Sequence, residues 1–397
     1  MSHLAEVRPP VDRSNLAFKI RANLFNSWGN SILTVLASVF IVWLGTSVLV
    51  WVFTMGEWSV IWVNLRLFLV GQYPGDQVWR IWLPMVLLAF LTGNSLAIWG
   101  RGSRRIALFL GLIPILLALL PFGLEERVWI LGLSIFGAVG WWLGRTASVA
   151  TRRIVLVGWV IWPFIFILLL RGLSAGEGWL AMVPPNLWGG LLLTFLLTVV
   201  GIVFSFPLGV LLALGRRSTL PVVRWFSIGY IELVRGVPLI TILFMAQLML
   251  PLFLPSGLTL DRVLRAMIGI TLFSAAYLAE NVRGGLQSIP KGQFEASFAL
   301  GLNNTKTMGL IILPQALRLV LPILTGQFIA LFKDTALVAI VGLFDLLGIA
   351  RTVLAQPDFL GLQREVYAFI SLLYWTLSYG MSYVSQRLEI ALGTGER

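Results

Sequence analysis

From Ser31 to Met55, and again from Gly189 to Leu214, the chain runs without a single charged residue. These runs constrain the fold more than any other feature, because about 20 consecutive apolar residues are what a helix needs to cross a bilayer. Further apolar runs near 81–99, 106–122, 127–144, 154–170, 237–254, 264–282, 316–341 and 366–387 bring the expected number of spans to about ten. The expected fold class is therefore all-α, a polytopic membrane protein. Only 12% of the residues are charged and 58% are hydrophobic, whereas a soluble domain carries about 25% charge. A soluble enzyme, a disordered chain and a coiled coil are excluded. The first run begins too far in, is too long and lacks a small-residue cleavage site, so it is read as a span and not a signal peptide.

The net charge of +12 is a topology signal. With the N-terminus in the cytoplasm, most of the Lys and Arg fall on inner segments. Arg8, Arg13, Lys19 and Arg21 come first, then Arg101, Arg104 and Arg105, then Arg145, Arg152 and Arg153. Arg216, Arg217, Arg224 and Arg235 follow, and Arg283, Lys291, Lys306 and Arg318 lie on the long loop and its flanks. This satisfies the positive-inside rule, with both termini expected in the cytoplasm. Trp179 and Trp188, flanking Pro184 and Pro185, are read as interfacial anchors on the outer side. There is no Cys and the one His is His3 in the N-terminal tail. Thiolate and His-based metal sites and nucleophiles are thus excluded, and no metal is expected. In a membrane chain the basic excess does not call for nucleic acid.

The chain divides into halves of unequal character. Residues 1–186 form an apolar, Trp-rich extension of about five spans in which no chemistry is legible. Residues 187–397 hold five spans, a cytoplasmic loop over 283–315, and charges at or near membrane depth, each of which needs a reason. Glu232 and Arg235, and again Glu280 and Arg283, are three apart and share a helix face, so each is expected to be a structural ion pair. Lys333 and Asp334 are adjacent and face different ways on a helix, which predicts separate partners for the two. The loop reads as a short helix over 292–300, closed by Gly301 and broken by Pro314 before the next span. Phe294, Phe298 and Leu302 recur at helical spacing and are expected on one face.

Within that loop stands Glu295-Ala296-Ser297, three residues, Gly301, nine residues, then Ile311-Ile312-Leu313-Pro314. This resembles the Glu-Ala-Ala signature of the permease subunits of ATP-binding cassette (ABC) importers, with Ser in place of the third small residue. The flanking stretches 232–239, 276–285, 289–293, 313–316 and 332–335 are similar to the branch that carries polar and general L-amino acids. The layout of the first half resembles the long permease subunit of the general L-amino-acid systems.

The resemblance implies a type I importer core in the C-terminal half, in a bacterial inner membrane. It implies a second permease, two ATP-binding subunits, an extracytoplasmic solute-binding protein and an L-amino acid substrate. Gln293, Phe294, Glu295, Ala296, Ser297, Phe298, Gly301, Leu302 and Asn303 would couple the permease to its ATPase. Five spans that start inside leave residue 187 outside, where such a core must begin. No Lys follows a Gly, so the chain has no P-loop, and ATP and Mg belong to the partner ATPase. The chain itself is not expected to be an enzyme. For the substrate path the polar groups in or beside the core spans are Tyr277, Gln327, Lys333, Asp334 and Thr335. Gly326 and Ala336 stand where the family pattern has Asn and Ser, which leaves the partner permease as the other holder of the substrate site. The competing readings are an ion-coupled secondary transporter, which favours inverted repeats and broken helices, and a membrane enzyme, which needs an interfacial acid or His cluster.

Overall fold

The computed structural model describes residues 20, 22–99, 104–119, 122–173, 178–255, 257 and 259–391. Two units divide it, Met1–Ser59 and Val60–Arg397. The first holds one long helix, α1 (Trp28–Val50), continued by a wider turn to Met55. Ser27 caps its start by accepting from the Asn30 N–H. None of its residues is buried within the protein. A helix that is apolar on every side in this way is a membrane span.

The second unit opens with two short helices, α2 (Ser59–Val63) and α3 (Leu65–Val70). Then come α4 (Trp79–Trp99), α5 (Arg104–Leu117), α6 (Leu124–Gly144) and α7 (Val149–Arg171). The remaining long elements are α8 (Gly190–Arg216), α9 (Pro221–Arg235), α10 (Leu239–Phe244) and α11 (Arg262–Gln287). They are followed by α12 (Lys291–Ala299), α13 (Asn304–Lys306), α14 (Leu313–Asp334), α15 (Leu346–Leu354) and α16 (Gln363–Ala391). Every apolar run read as a span coincides with a helix. Among the described residues, seven helices have the length and composition to cross a membrane, and a bent pair adds an eighth. That pair is α9 with α10 and its continuation to Phe253, bent by 108°. The bend falls at Gly236-Val237-Pro238, because proline lacks an N–H and clashes with the preceding turn. The run at 106–122 lies partly outside the described residues, and its described part forms the 14 residues of α5, about 21 Å of helix.

Two apolar cores hold the second unit together. The larger joins Tyr73, Leu91, Trp162 and Phe166 from before residue 187 to Leu193, Leu196, Leu243 and Ile270 after it. The smaller lies beneath the long loop, where Ile231, Val282, Leu286, Ile312 and Val320 meet. Trp188 departs from its expected role as an anchor. It is 4% exposed and sits in the larger core, while Trp179 is exposed and stacks on Trp79 at 6.0 Å. Arg80, whose position the sequence did not single out, is fully buried. Its guanidinium donates to the carbonyls of Ala181 (2.7 Å) and Trp179 (2.5 Å), tying the start of α4 to the loop before α8.

α4 and α6 touch backbone to backbone. A Cβ on Gly93 would lie 2.0 Å from the Gly137 carbonyl oxygen, and one on Gly140 would lie 2.2 Å from that of Phe90. Small residues at helix contacts are the usual route to tight packing in lipid. Gly140→Val therefore forces the helices apart, and no rotamer change relieves a clash with a carbonyl. We expect a loss of about 2 kcal/mol, read as a lower melting temperature of the purified protein.

Asp345 is fully buried at the start of α15. Its carboxylate accepts from the N–H of Gly348 (2.9 Å) and Leu347 (3.2 Å), and the Tyr374 hydroxyl stands 3.5 Å away. Burial outweighs these bonds and pushes the carboxyl up to about 7. A raised carboxyl favours the folded state when protonated. Its contribution is full below about pH 4, erodes as pH rises, and is gone above the folded-state value near 7. We expect thermal stability to fall between about pH 4 and 7, by at most about 1.4 kcal/mol per pH unit. Asp345→Asn keeps the cap and should flatten that slope in melting curves taken across the window.

Candidate functional site: the cytoplasmic loop and the charged helix ends

The long loop is built on the smaller core. Pro290 opens α12 and Gly301 closes it, at φ +74°. The Gly301 N–H donates to the Phe298 carbonyl (2.9 Å) and that of Leu302 to the Ser297 carbonyl (3.2 Å). Asn303 then caps α13, its side-chain oxygen accepting from the Lys306 N–H at 2.9 Å. This turn overturns the expectation of a single apolar face. Phe294 packs against the smaller core, and the Arg217 guanidinium lies 5.9 Å from its ring centre. Phe298 is 50% exposed. Leu302 lies beyond the helix, because the chain reverses at Gly301 before the third turn forms.

The nine residues of the loop signature therefore divide. Ser297 is buried and its hydroxyl donates to the Gln293 carbonyl at 2.5 Å. That bond satisfies the one polar atom by which Ser differs from the Ala of the family pattern. The Gln293 side chain accepts from Gln315 (3.2 Å), bracing α12 on the start of α14. Glu295, Ala296, Phe298, Gly301 and Asn303 are exposed, and Leu302 is half-buried. The loop is anchored from one side and offers acidic, apolar and backbone groups on the other.

Just above it, the ends of α8, α9 and α11 bring five charged side chains together. Glu280 takes both nitrogens of a bidentate grip from Arg283, the Nε at 2.9 Å. Arg216 and Arg235 lie at 3.5 and 3.8 Å from the same carboxylate. Glu232 pairs with Arg216 at 2.8 Å, not with Arg235. The i,i+3 pair expected on α9 is thus replaced by bonds between helices. Arg235 turns over the Tyr277 ring, 5.6 Å from its centre, and toward Glu280, where it is better shielded from solvent. Glu232 remains exposed and meets Arg216 from α8 instead. Arg216 carried no pairing signal in the sequence, since its partners are distant along the chain.

Each of the five residues proposed for the substrate path has neighbours within the protein or a place on its surface. Tyr277 packs on Phe273 at 4.8 Å and under Arg235. The Gln327 amide accepts from Asn281 (2.7 Å) and donates to the Ser274 carbonyl (2.9 Å), so it clamps α14 to α11. Lys333 and Asp334 close α14, where the helix tightens into a 3₁₀ stretch over Thr335–Val341. Lys333 is exposed and Asp334 half-buried, while Thr335 is fully buried and its hydroxyl donates to the Phe332 carbonyl at 2.7 Å. Lys333 ends an exposed stripe of α14 that begins with Leu319, Ile323, Gly326 and Ala330. Among the described residues no three His, Cys, Asp or Glu side chains gather as a metal site.

Comparison with known proteins agrees with this architecture. Residues 205–389 match the family described as the inner membrane component of binding-protein-dependent transport systems. The chain is 39% identical over 409 residues to an inner membrane amino-acid ABC transporter permease of Escherichia coli K12, YhdY. That match covers 98% of this chain and 96% of the relative. It is 36% identical over 448 residues to BztC of Rhodobacter capsulatus, a permease of a glutamate, glutamine, aspartate and asparagine transport system, with 99% and 98% covered. A shorter relative, the glutamate/aspartate import permease GltK of E. coli O6:H1, is 37% identical over 218 residues, which is 53% of this chain and 96% of GltK. A helical multi-pass protein matched end to end by two such permeases belongs to their family, and the chain is an inner membrane permease of the ABC importers.

Proposed function

We propose that this permease serves an ATP-driven amino-acid importer and couples to separate ATPase subunits through α12. The observation that carries the reading is the division of the loop. Phe294, Ser297 and Gln293 hold α12 to the permease, which leaves Glu295, Phe298 and the Gly301 turn free to enter a partner's groove. A small helix clamped on one side transmits a push to the spans beneath it. The amino-acid substrate class is supported by the two full-length relatives, both named for amino-acid transport. A second, related permease covers the exposed stripe of α14, and the substrate passes beside it near Lys333. ATP and Mg bind in the ATPase, and an extracytoplasmic binding protein delivers the solute. The transport core is residues 187–397, with both termini in the cytoplasm. The shorter relative supports that division, since nearly its whole length corresponds to about half of this chain.

The test is uptake into proteoliposomes. The permease pair assembled with its ATPase and binding protein should accumulate labelled amino acid only when ATP is supplied on the ATPase side. Uptake by this chain alone, driven by a proton or sodium gradient, would overturn the reading.

A further inference from the structure

Outside the transport core lies a feature that the reading above does not use. α5 packs along α6 and stands away from α4. The gap is a side-opening groove of about 650 Å³. Its walls are almost wholly apolar, with Met85, Leu88, Leu96, Leu108, Leu112 and Leu133 among them. It follows α4 from Trp82 to Leu96, about 21 Å of helix axis. Gly93 and Gly137, at the tight contact described above, form part of its floor.

One end of this groove is strongly basic. Trp141 lines it there, and the Arg145 guanidinium lies 3.6 Å from the Trp141 ring centre. Arg152 and Arg153 stand exposed on the first turns of α7. The sequence from 100 to 153 contains two acids, Glu125 and Glu126, and both lie at the opposite end of α6. The arginines around Glu280 are matched by carboxylates. This set has none nearby in sequence.

We propose that the groove binds an anionic phospholipid, one acyl chain lying between α4, α5 and α6 and the headgroup phosphate meeting Arg145. An almost wholly apolar groove with the Arg145 guanidinium at one end fits an acyl chain and an acidic headgroup. Charge selects the headgroup, since basic pockets between spans on the cytoplasmic side hold anionic lipids. The cytoplasmic placement of this end rests on the proposed orientation. The headgroup preference does not, because lipid binding in detergent has no sidedness.

The full-length protein, purified in detergent, is incubated with phosphatidylglycerol or phosphatidylethanolamine of identical acyl chains, and bound lipid is counted by native mass spectrometry. Phosphatidylglycerol should be retained in preference. Arg145→Gln should reduce that retention about fivefold, and Ala138→Trp, which fills the groove, should remove it. Equal retention of the two lipids overturns the proposal, and so does an anionic preference that survives Arg145→Gln. Arg145→Gln is an exposed substitution that leaves the apolar packing intact, so the test stands even if Ala138→Trp does not fold.

Discussion

Lysine in place of Glu295 is expected to abolish ATP-driven uptake while the protein still reaches the membrane at normal levels. Glu295 is exposed and among the described residues no internal bond holds it, so its replacement leaves the described packing intact. Reversal of its charge opposes whatever basic group receives it, and like charges brought together at an interface cost several kcal/mol. Gly301→Asp should reach the same end by another route. The space around Gly301 is open, so a side chain meets no clash within the protein. The penalty is the left-handed backbone, about 1–3 kcal/mol, together with new bulk on the partner-facing turn. The measurement is paired: membrane abundance by immunoblot and uptake in proteoliposomes with ATPase present. Near-normal abundance with uptake reduced at least about 100-fold is expected. Wild-type uptake in either variant would remove α12 from the coupling role.

Glu280→Ala should destabilise the protein well beyond Glu232→Ala. Its carboxylate is the shared partner of Arg283, Arg216 and Arg235, on three helices. Removing one member of a shielded ion pair leaves uncompensated charge and costs about 3–5 kcal/mol. Partial exposure of the Glu280 side chain, at 21%, puts the expectation at the lower end, about 3 kcal/mol. Glu232→Ala should cost under about 1 kcal/mol, because that carboxylate is 56% exposed. Melting temperatures of the two purified variants decide the matter. Equal losses would mean that the cluster has no centre and that Glu280 is one surface pair among several.

Those two glutamates differ for a reason that is not local. Both stand three residues before an arginine, and local geometry allows the same pair in each case. Only Glu280 forms it. The bend at Pro238 and the packing of α9 against α8 and α11 bring Arg216 to Glu232 and draw Arg235 to Glu280 instead. The loop shows the same limit at shorter range. Gly301 marks a helix stop in the sequence, yet helical spacing alone places Leu302 on the same face as Phe294 and Phe298. A left-handed glycine reverses the chain, so helical spacing no longer applies beyond it. Gln327 is polar and lies in a span, and the bonds of its amide to Asn281 and Ser274, from a helix more than 40 residues earlier, have no signal along the chain.

What the amino-acid sequence determined alone is therefore what depends on neighbours along the chain. The spans follow from uninterrupted apolar length, the expected sidedness from the arginines between them, and the loop from a motif twenty residues long. Tertiary structure decided everything that depends on which helices meet. It buried Trp188 and Arg80, joined residues before and after 186 in one core, chose Arg216 for Glu232, and opened a groove beside α5. A helix in lipid satisfies its backbone internally, so its existence is written in its own residues. Its partners are not, because side-chain packing and charge pairing are settled only when surfaces distant in sequence come into contact.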